Sequence, residues 1–166
     1  MALSGGKWHP DGQRIGYFKL GRSGVPSQSG KREIWTVKRD GSENHLEFID
    51  EQSYIWTNFC FDWSPDGKSI AYLRGFPGYS EIFIRELQSG KERQLTANRK
   101  GIDEIFWAGN DQIFFTSNKS GNTKVWMIPA SGGEAVQITK GTGPDIGVRA
   151  SADGNRLLFQ GPQQHD

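Results

Sequence analysis

Several features are scarce in this sequence, and each scarcity excludes a class of protein. The 166 residues contain one cysteine, Cys60, so an internal disulfide is impossible, and we interpret Cys60 as a buried strand residue. The three histidines, at positions 9, 45 and 165, have no spacing that is typical of a metal site, so we expect neither a metal nor a cofactor. No apolar run approaches the roughly 18 residues of a membrane span, so we expect no membrane insertion.

Signatures of catalysis are also missing. The sequence has no Gly-x-Ser-x-Gly elbow, no Gly-x-Gly-x-x-Gly fingerprint and no phosphate-binding loop. The carboxylate pairs Asp50-Glu51 and Asp103-Glu104 fall at loop or strand edges, and we interpret them as solvated surface charges. A net charge of +1 gives no electrostatic reason for binding nucleic acid. We therefore predict a protein that is not an enzyme and has no catalytic residues.

The abundant residue types favour short strands joined by turns. Aromatic residues make up 12% of the chain, and there are 22 glycines. Residues 1–7 lack the basic-then-apolar layout of a signal peptide, and we interpret them as a linker or as residues added for expression. These features together predict an all-β domain.

A repeat runs through the chain. Its marker is a tryptophan followed by a tight turn and an apolar strand, at Trp8–Ile15, Trp63–Ile70 and Trp107–Ile113. A fourth copy, Ala150–Leu157, keeps the Asp-Gly turn and the apolar strand but has alanine in place of the tryptophan. The successive steps are 55, 44 and 43 residues, obtained as 63 − 8, 107 − 63 and 150 − 107. A period in the low forties is typical of a propeller blade with about four short strands.

The strands that follow each marker are apolar at consecutive positions. In the second repeat these strands are Ile70-Ala-Tyr-Leu73 and Ile82-Phe-Ile84, and the first and third repeats have counterparts. A sheet with one solvated face would alternate instead, so both faces of each sheet must be covered. The last strand of each repeat is more polar, as expected of an outer edge that must not pair with other chains.

The turn Ser64-Pro65-Asp66-Gly67 has a physical explanation. Pro65 presets φ for a turn, the Asp66 side chain can bond to nearby backbone, and Gly67 can adopt a left-handed conformation. We therefore interpret Asp11, Asp66 and Asp153 as turn formers and not as metal ligands.

The second repeat carries a family resemblance. Its marker Trp-x-Pro-Asp-Gly-x-x-Ile-Ala-Tyr, its Glu-Ile-Phe-Ile strand and its Arg-Gln-Leu-Thr strand resemble the TolB-like, WD-repeat-like β-propeller family. The resemblance implies about three and a half four-stranded antiparallel blades over residues 8–161, with a tail at 162–166. The repeats are expected near 8–50, 56–97, 103–140 and 145–161. Such a repeat is specific for fold and uninformative about function.

The sequence predicts strand counts of three, four, four and two, which would leave two open sides. Ile15, Tyr17, Phe18, Ile34 and Trp35 are expected to line one open side, and Leu157, Leu158 and Phe159 the other. Burial of such surfaces favours association, so we expect a homodimer or another self-association through the open blade edges.

One side of the propeller is the better candidate for binding. In a meander, the Pro-Asp-Gly turns and the Ser-Gly turns share one side, which we call the turn side. The opposite side, which we call the loop side, receives the variable loops near 21–31, 50–57, 75–80, 97–103, 118–124 and 140–145. Aromatic and arginine side chains are common contact anchors. The candidate binding residues on these loops are Tyr54, Trp56, Phe76, Tyr79, Arg99 and Lys100, with further lysines at 31, 119 and 140.

Three functions remain open at this point. The first is a non-catalytic scaffold for a protein or peptide partner, for which the resemblance implies a periplasmic or cell-envelope location. The second is the propeller domain of a prolyl-oligopeptidase-like serine peptidase whose catalytic domain lies elsewhere. The third is the sensor domain of a larger regulator. The residues alone do not identify the ligand.

Overall fold

The computed structural model describes residues 6–20, 31–52, 60–109, 111–151 and 155–161, and within them all regular structure is β-strand. Sheets of four, four, four and two strands follow one another along the chain, and each is an antiparallel meander. We call these sheets blades 1 to 4. The strands of blades 1 and 2 are β1 (Lys7–Trp8), β2 (Arg14–Leu20), β3 (Arg32–Lys38), β4 (His45–Asp50), β5 (Phe61–Trp63), β6 (Ser69–Phe76), β7 (Tyr79–Glu86) and β8 (Glu92–Gln94). The strands of blades 3 and 4 are β9 (Ile102–Ala108), β10 (Gln112–Ser117), β11 (Lys124–Pro129), β12 (Val136–Gln137), β13 (Ile146–Ala150) and β14 (Leu157–Gln160).

Blade 1 has one strand more than the sequence predicts. The two residues of β1 pair with β2, Trp8 opposite Ile15, and complete a four-stranded sheet. So short a strand has no apolar pattern of its own and becomes visible only through its pairing. The partial propeller expected from the sequence is otherwise confirmed.

The blades bury both faces of their central strands, as the unbroken apolar runs predict. One core cluster joins blades 1 and 2 and includes Ile34, Trp63 and Tyr72. A second joins blades 2 and 3, and a third, smaller cluster joins blades 3 and 4, where Val148 packs with Phe114. Stacking of sheet on sheet is therefore the main source of apolar burial in this fold.

The marker turns have the predicted geometry. Gly12 and Gly67 have φ of 67° and 69°. The Asp11 carboxylate accepts from the Gln13 backbone N–H at 2.8 Å, and the Asp66 carboxylate accepts from the Lys68 backbone N–H at 3.0 Å. Asp153 lies outside the described residues. Blade 3 lacks the glycine, and Asp111 adopts φ of 64° at the same distance from its tryptophan.

The open sides differ from the sequence expectation. Ile34 is fully buried and Phe18 packs edge-on against Phe61 of blade 2, so neither lines an open side. Strand alternation turns these two side chains towards blade 2. Leu157 also packs partly into the blade 3–4 core. Leu158 (73% exposed) and Phe159 are exposed as predicted. The other exposed large apolar side chains were not predicted, and they are Trp8 (58% exposed), Ile49, Val136, Ile138 and Ile146.

Candidate functional site

The aromatic pair Phe76 and Tyr79 is the centre of the candidate site on the loop side. A loop near 75–80 was predicted, but β6 continues to Phe76 and β7 begins at Tyr79, so only Pro77 and Gly78 form the turn. Gly78 has φ of 83°, which a tight hairpin requires. Phe76 and Tyr79 are paired across the hairpin, and their rings stack with centroids 4.9 Å apart and planes at 11°. A two-residue turn therefore presents a rigid, half-buried aromatic platform.

The segment Arg99-Lys100 lies beside this platform. The backbone N–H of Ser80 donates to the Lys100 carbonyl at 3.3 Å, which ties the segment to the start of β7. Arg99 has φ of 51°, a conformation that is uncommon for residues other than glycine. Its backbone N–H donates to Glu81 Oε1 at 2.6 Å, and Glu81 is itself buried. A buried carboxylate therefore holds the backbone of Arg99 in place, while both side chains of the segment are exposed.

A further cation lies close to the same segment. The Gly101 backbone N–H donates to Asn118 Oδ1 at 3.1 Å, so the 99–101 segment meets the turn between β10 and β11. Lys119 in that turn places its ammonium 5.0 Å from the centre of the Trp126 ring. Backbone hydrogen bonds thus place the Arg99-Lys100 segment next to the start of β7, which carries Tyr79, and place the turn that carries Lys119 next to that segment.

The other candidates fall elsewhere. Tyr54 and Trp56 lie outside the described residues. Lys31 pairs with Glu51 at 2.7 Å in blade 1, where both side chains are 62% exposed. Lys140 is exposed, and no contact of the described residues links it to the Phe76–Tyr79 platform.

A buried ionic network behind the platform was missed by the sequence analysis. Arg74 on β6 is buried and places its guanidinium 2.9 Å from both Asp50 and Glu92. It also donates to the Tyr72 hydroxyl at 2.7 Å and lies 4.1 Å from the centre of the Phe83 ring. Burial, together with the hydrogen bond to Glu92, raises the pKa of Tyr72 above its ordinary value.

The interpretation of Asp50 as a solvated carboxylate was wrong. Asp50 is 3% exposed and lies between Arg74 and the buried Arg32, whose pKa is lowered by burial to about 10. Glu104 is likewise not merely solvated, since it accepts from the Val148 backbone N–H at 3.1 Å and so links blade 3 to blade 4. A strand-end carboxylate carries no sequence signal for such burial, because its partners lie on other strands.

Cys60 differs in part from its prediction. It precedes β5 instead of lying in a strand, and it is partly buried. The Ile105 backbone N–H donates to its sulfur at 3.3 Å, and burial raises the pKa of the thiol, which keeps it protonated at neutral pH.

Within the described ranges no three His, Cys, Asp or Glu side chains cluster as metal ligands. No helix among those residues is long and apolar enough to cross a membrane.

Comparisons with known proteins agree on one family. The model of the family described as "TolB beta propeller domain" matches residues 3–166. A TolB homologue of Chlorobium chlorochromatii is 25% identical over 135 residues, which are 81% of this chain and 30% of that protein. Dipeptidyl-peptidase 5 of Porphyromonas gingivalis is 30% identical over 142 residues, which are 81% of this chain and 20% of that protein. The crystal structure of TolB from Acinetobacter baumannii superposes with a TM-score of 0.72 at 20% identity, covering 93% of this chain and 36% of that one. The chain thus spans 30% of the length of the Chlorobium TolB homologue and 20% of the length of the dipeptidyl-peptidase.

Proposed function

Because the chain belongs to the TolB β-propeller domain family, we propose that it is a non-catalytic scaffold that binds a protein or peptide through its loop side. The observation that carries this proposal is the stacked Phe76–Tyr79 platform with the Arg99-Lys100 segment fixed beside it. Stacked aromatic side chains bind partners at low cost in conformational entropy, and arginine is a common contact anchor.

The chemistry of the platform favours a particular partner. Arg99 and Lys100 make no ion pair within the described ranges, and Lys119 adds a third positive charge nearby. A peptide segment with an apolar or aromatic residue next to a carboxylate fits such a surface, since the ring can pack on the platform while the carboxylate pairs with the cations. By family resemblance, we expect the protein to act in the cell envelope.

The experiment begins with random twelve-residue peptides selected by phage display on the wild-type chain. Dissociation constants of the enriched peptides are then measured on Arg99→Gly/Lys100→Ala, in which glycine suits the positive φ and removes the guanidinium without backbone strain. We expect at least tenfold weaker binding, while Lys68→Ala, an exposed residue on the opposite side, serves as control and leaves binding unchanged. Equal binding by the wild type and the double variant rejects the proposal.

A second function is favoured by the match to a dipeptidyl-peptidase. In this alternative the chain is part of a propeller that accompanies a serine peptidase domain. The full reading frame around this sequence separates the two, because a Gly-x-Ser-x-Gly elbow downstream favours the peptidase.

We also propose that the chain associates with a second copy of itself through its open blade sides. Trp8 of blade 1 and Leu158 of blade 4 are 58% and 73% exposed, and Val136 of blade 3 and Ile146 of blade 4 are also exposed. Burying an apolar side of about 800 Å² per partner is sufficient for a stable contact. The two open sides differ, so a head-to-tail dimer is the natural arrangement.

A further inference from the structure

A cavity of about 490 Å³ opens between blades 2 and 3 on the turn side, opposite the Phe76–Tyr79 platform. Trp107 and Asp111 of blade 3 line one wall, and Ser69, Glu86 and Glu92 of blade 2 line the other. None of these residues belongs to the candidate site on the loop side, so the cavity needs its own explanation.

The same position between blades 1 and 2 is occupied by a side chain of blade 1. The His9 ring packs edge-on against Trp63, with ring centroids 4.7 Å apart, and it touches the turn at Gly67. The Arg14 guanidinium supports this ring from within blade 1, 3.2 Å from His9 Nε2, and pairs with Asp11 at 2.8 Å. An imidazole backed by a guanidinium therefore closes the gap between the first two blades.

Blade 2 carries a serine at both of these positions. Ser64 and Ser69 follow Trp63 by one and six residues, as His9 and Arg14 follow Trp8. The two serines bond to their own turn, since Ser64 Oγ accepts from the Ser69 backbone N–H at 2.9 Å and donates to Asp66 at 2.6 Å. The apolar core shared by blades 2 and 3 fixes their spacing, so the volume that the two larger side chains occupy in blade 1 stays open.

The cavity wall suits a positively charged, planar group. Three carboxylates line it, from Glu86, Glu92 and Asp111, against two cations, Lys91 and Arg93. Glu92 is already paired with Arg74 and Arg85, and Arg93 donates to the Ala130 carbonyl. The Asp111 carboxylate has no hydrogen bond or ion pair to any described residue.

Trp107 supplies an aromatic wall. Its side chain is 9% exposed and lines the cavity. A guanidinium can stack on an indole and pair with a carboxylate at the same time.

We propose that this cavity binds a guanidinium group, carried either by an arginine side chain of an extended peptide or by a free guanidino compound. The group takes the place in blades 2 and 3 that Arg14 and His9 take in blades 1 and 2. Its charge pairs with Asp111, and its plane lies against Trp107.

Isothermal titration calorimetry with three probes tests this proposal on the whole chain. The probes are N-acetyl-arginine methylamide, the corresponding citrulline compound, which has the same shape without the charge, and methylguanidine. We expect the arginine probe to bind at least tenfold more tightly than the citrulline probe. Methylguanidine that binds as tightly as the arginine probe identifies a free guanidino compound as the ligand class, and weaker binding of methylguanidine identifies a peptide.

Two variants locate the site. Ser69→Arg supplies the side chain that blade 1 has at this position, so it should fill the cavity and abolish binding of the arginine probe. Asp111→Asn keeps a residue that tolerates positive φ and removes the charge, so it should weaken binding about tenfold. Lys68→Arg, an exposed neighbour that does not line the cavity, is the matched control and should bind as the wild type does.

Three outcomes overturn the proposal: no heat of binding with the arginine probe, equal affinity for the citrulline probe, or unchanged affinity in both Ser69→Arg and Asp111→Asn. Because neither variant touches the Phe76–Tyr79 platform, failure here leaves the function proposed for the loop side unaffected.

Discussion

The ring of His9 in blade 1 lies directly against Gly67 in blade 2, so that a Cβ placed on Gly67 would fall 2.7 Å from the imidazole. Gly67 also has φ of 69°. Two independent constraints, backbone conformation and contact with the neighbouring blade, therefore require glycine at this position.

Gly67→Ala is expected to lower the free energy of unfolding by about 1–3 kcal/mol through backbone strain, with a further loss from the clash with His9. Gly78→Ala is the matched control, because Gly78 has φ of 83° but open space around it. Urea denaturation of Gly67→Ala, His9→Ala and the double variant isolates the clash. We expect the double variant to be more stable than the sum of the single changes predicts, and strict additivity would contradict a contact between the two blades here.

Asp50→Ala should lower the free energy of unfolding by about 3 kcal/mol, because it leaves the buried guanidiniums of Arg74 and Arg32 without their shared carboxylate. The neighbouring Glu51 is the control. Its ion pair with Lys31 is exposed, so Glu51→Ala should leave the denaturation midpoint unchanged. Equal midpoints for the two variants would show that Asp50 is not buried among charges.

The carboxyl group of Asp62 should make the free energy of unfolding depend on pH. Burial raises the pKa of its carboxyl above the ordinary 3.8, in spite of hydrogen bonds from the Trp107 and Trp63 backbone N–H groups. Between pH 3.8 and the raised value, the folded state binds more protons than the unfolded state, so this carboxyl makes the fold less stable as the pH rises.

Asp62→Asn removes this contribution. The difference in unfolding free energy, wild type minus Asp62→Asn, should therefore fall as the pH is raised from 3.8 through the raised pKa and then level off. Denaturation of both proteins across this range measures the difference. A difference that grows with pH would mean that the charged form of Asp62 is favoured in the fold.

Self-association predicts a mass above 18.6 kDa in light scattering coupled to size exclusion at micromolar concentration. Leu158→Glu places a charge on the most exposed apolar side chain of blade 4 and should shift the mass towards the monomer. Lys68→Glu, a change of charge on the turn side, is the control and should leave the mass unchanged. A monodisperse wild type of 18.6 kDa with a cooperative melt would falsify the proposed association.

The parts of the fold that could be predicted from the sequence rest on local chemistry. The turn at Ser64–Gly67 requires a residue with freedom at positive φ, and glycine supplies it. The apolar runs of β6 and β7 require cover on both faces, and stacked blades supply it. By contrast, β1 could not be predicted, because two residues form a strand only when a partner is present.

The candidate sites could also be predicted only in part from the sequence. The residue types at Phe76, Tyr79, Arg99 and Lys100 suggested contact anchors, but the stack of the two rings depends on where β6 and β7 end. Nothing local distinguishes Asp50, which is buried, from Glu51, which is exposed. The difference arises from Arg74, 24 residues further along the chain.

The sequence by itself determined the repeat, the strands and the turns of this protein, because those depend on side-chain alternation and backbone freedom within a few residues. The tertiary structure decided which blade faces are filled. His9, backed by Arg14, closes one gap between blades. Ser64 and Ser69 occupy the equivalent places in the next repeat, and the gap beside them stays open. That outcome depends on the size and charge of side chains meeting across two sheets, which a single strand does not encode.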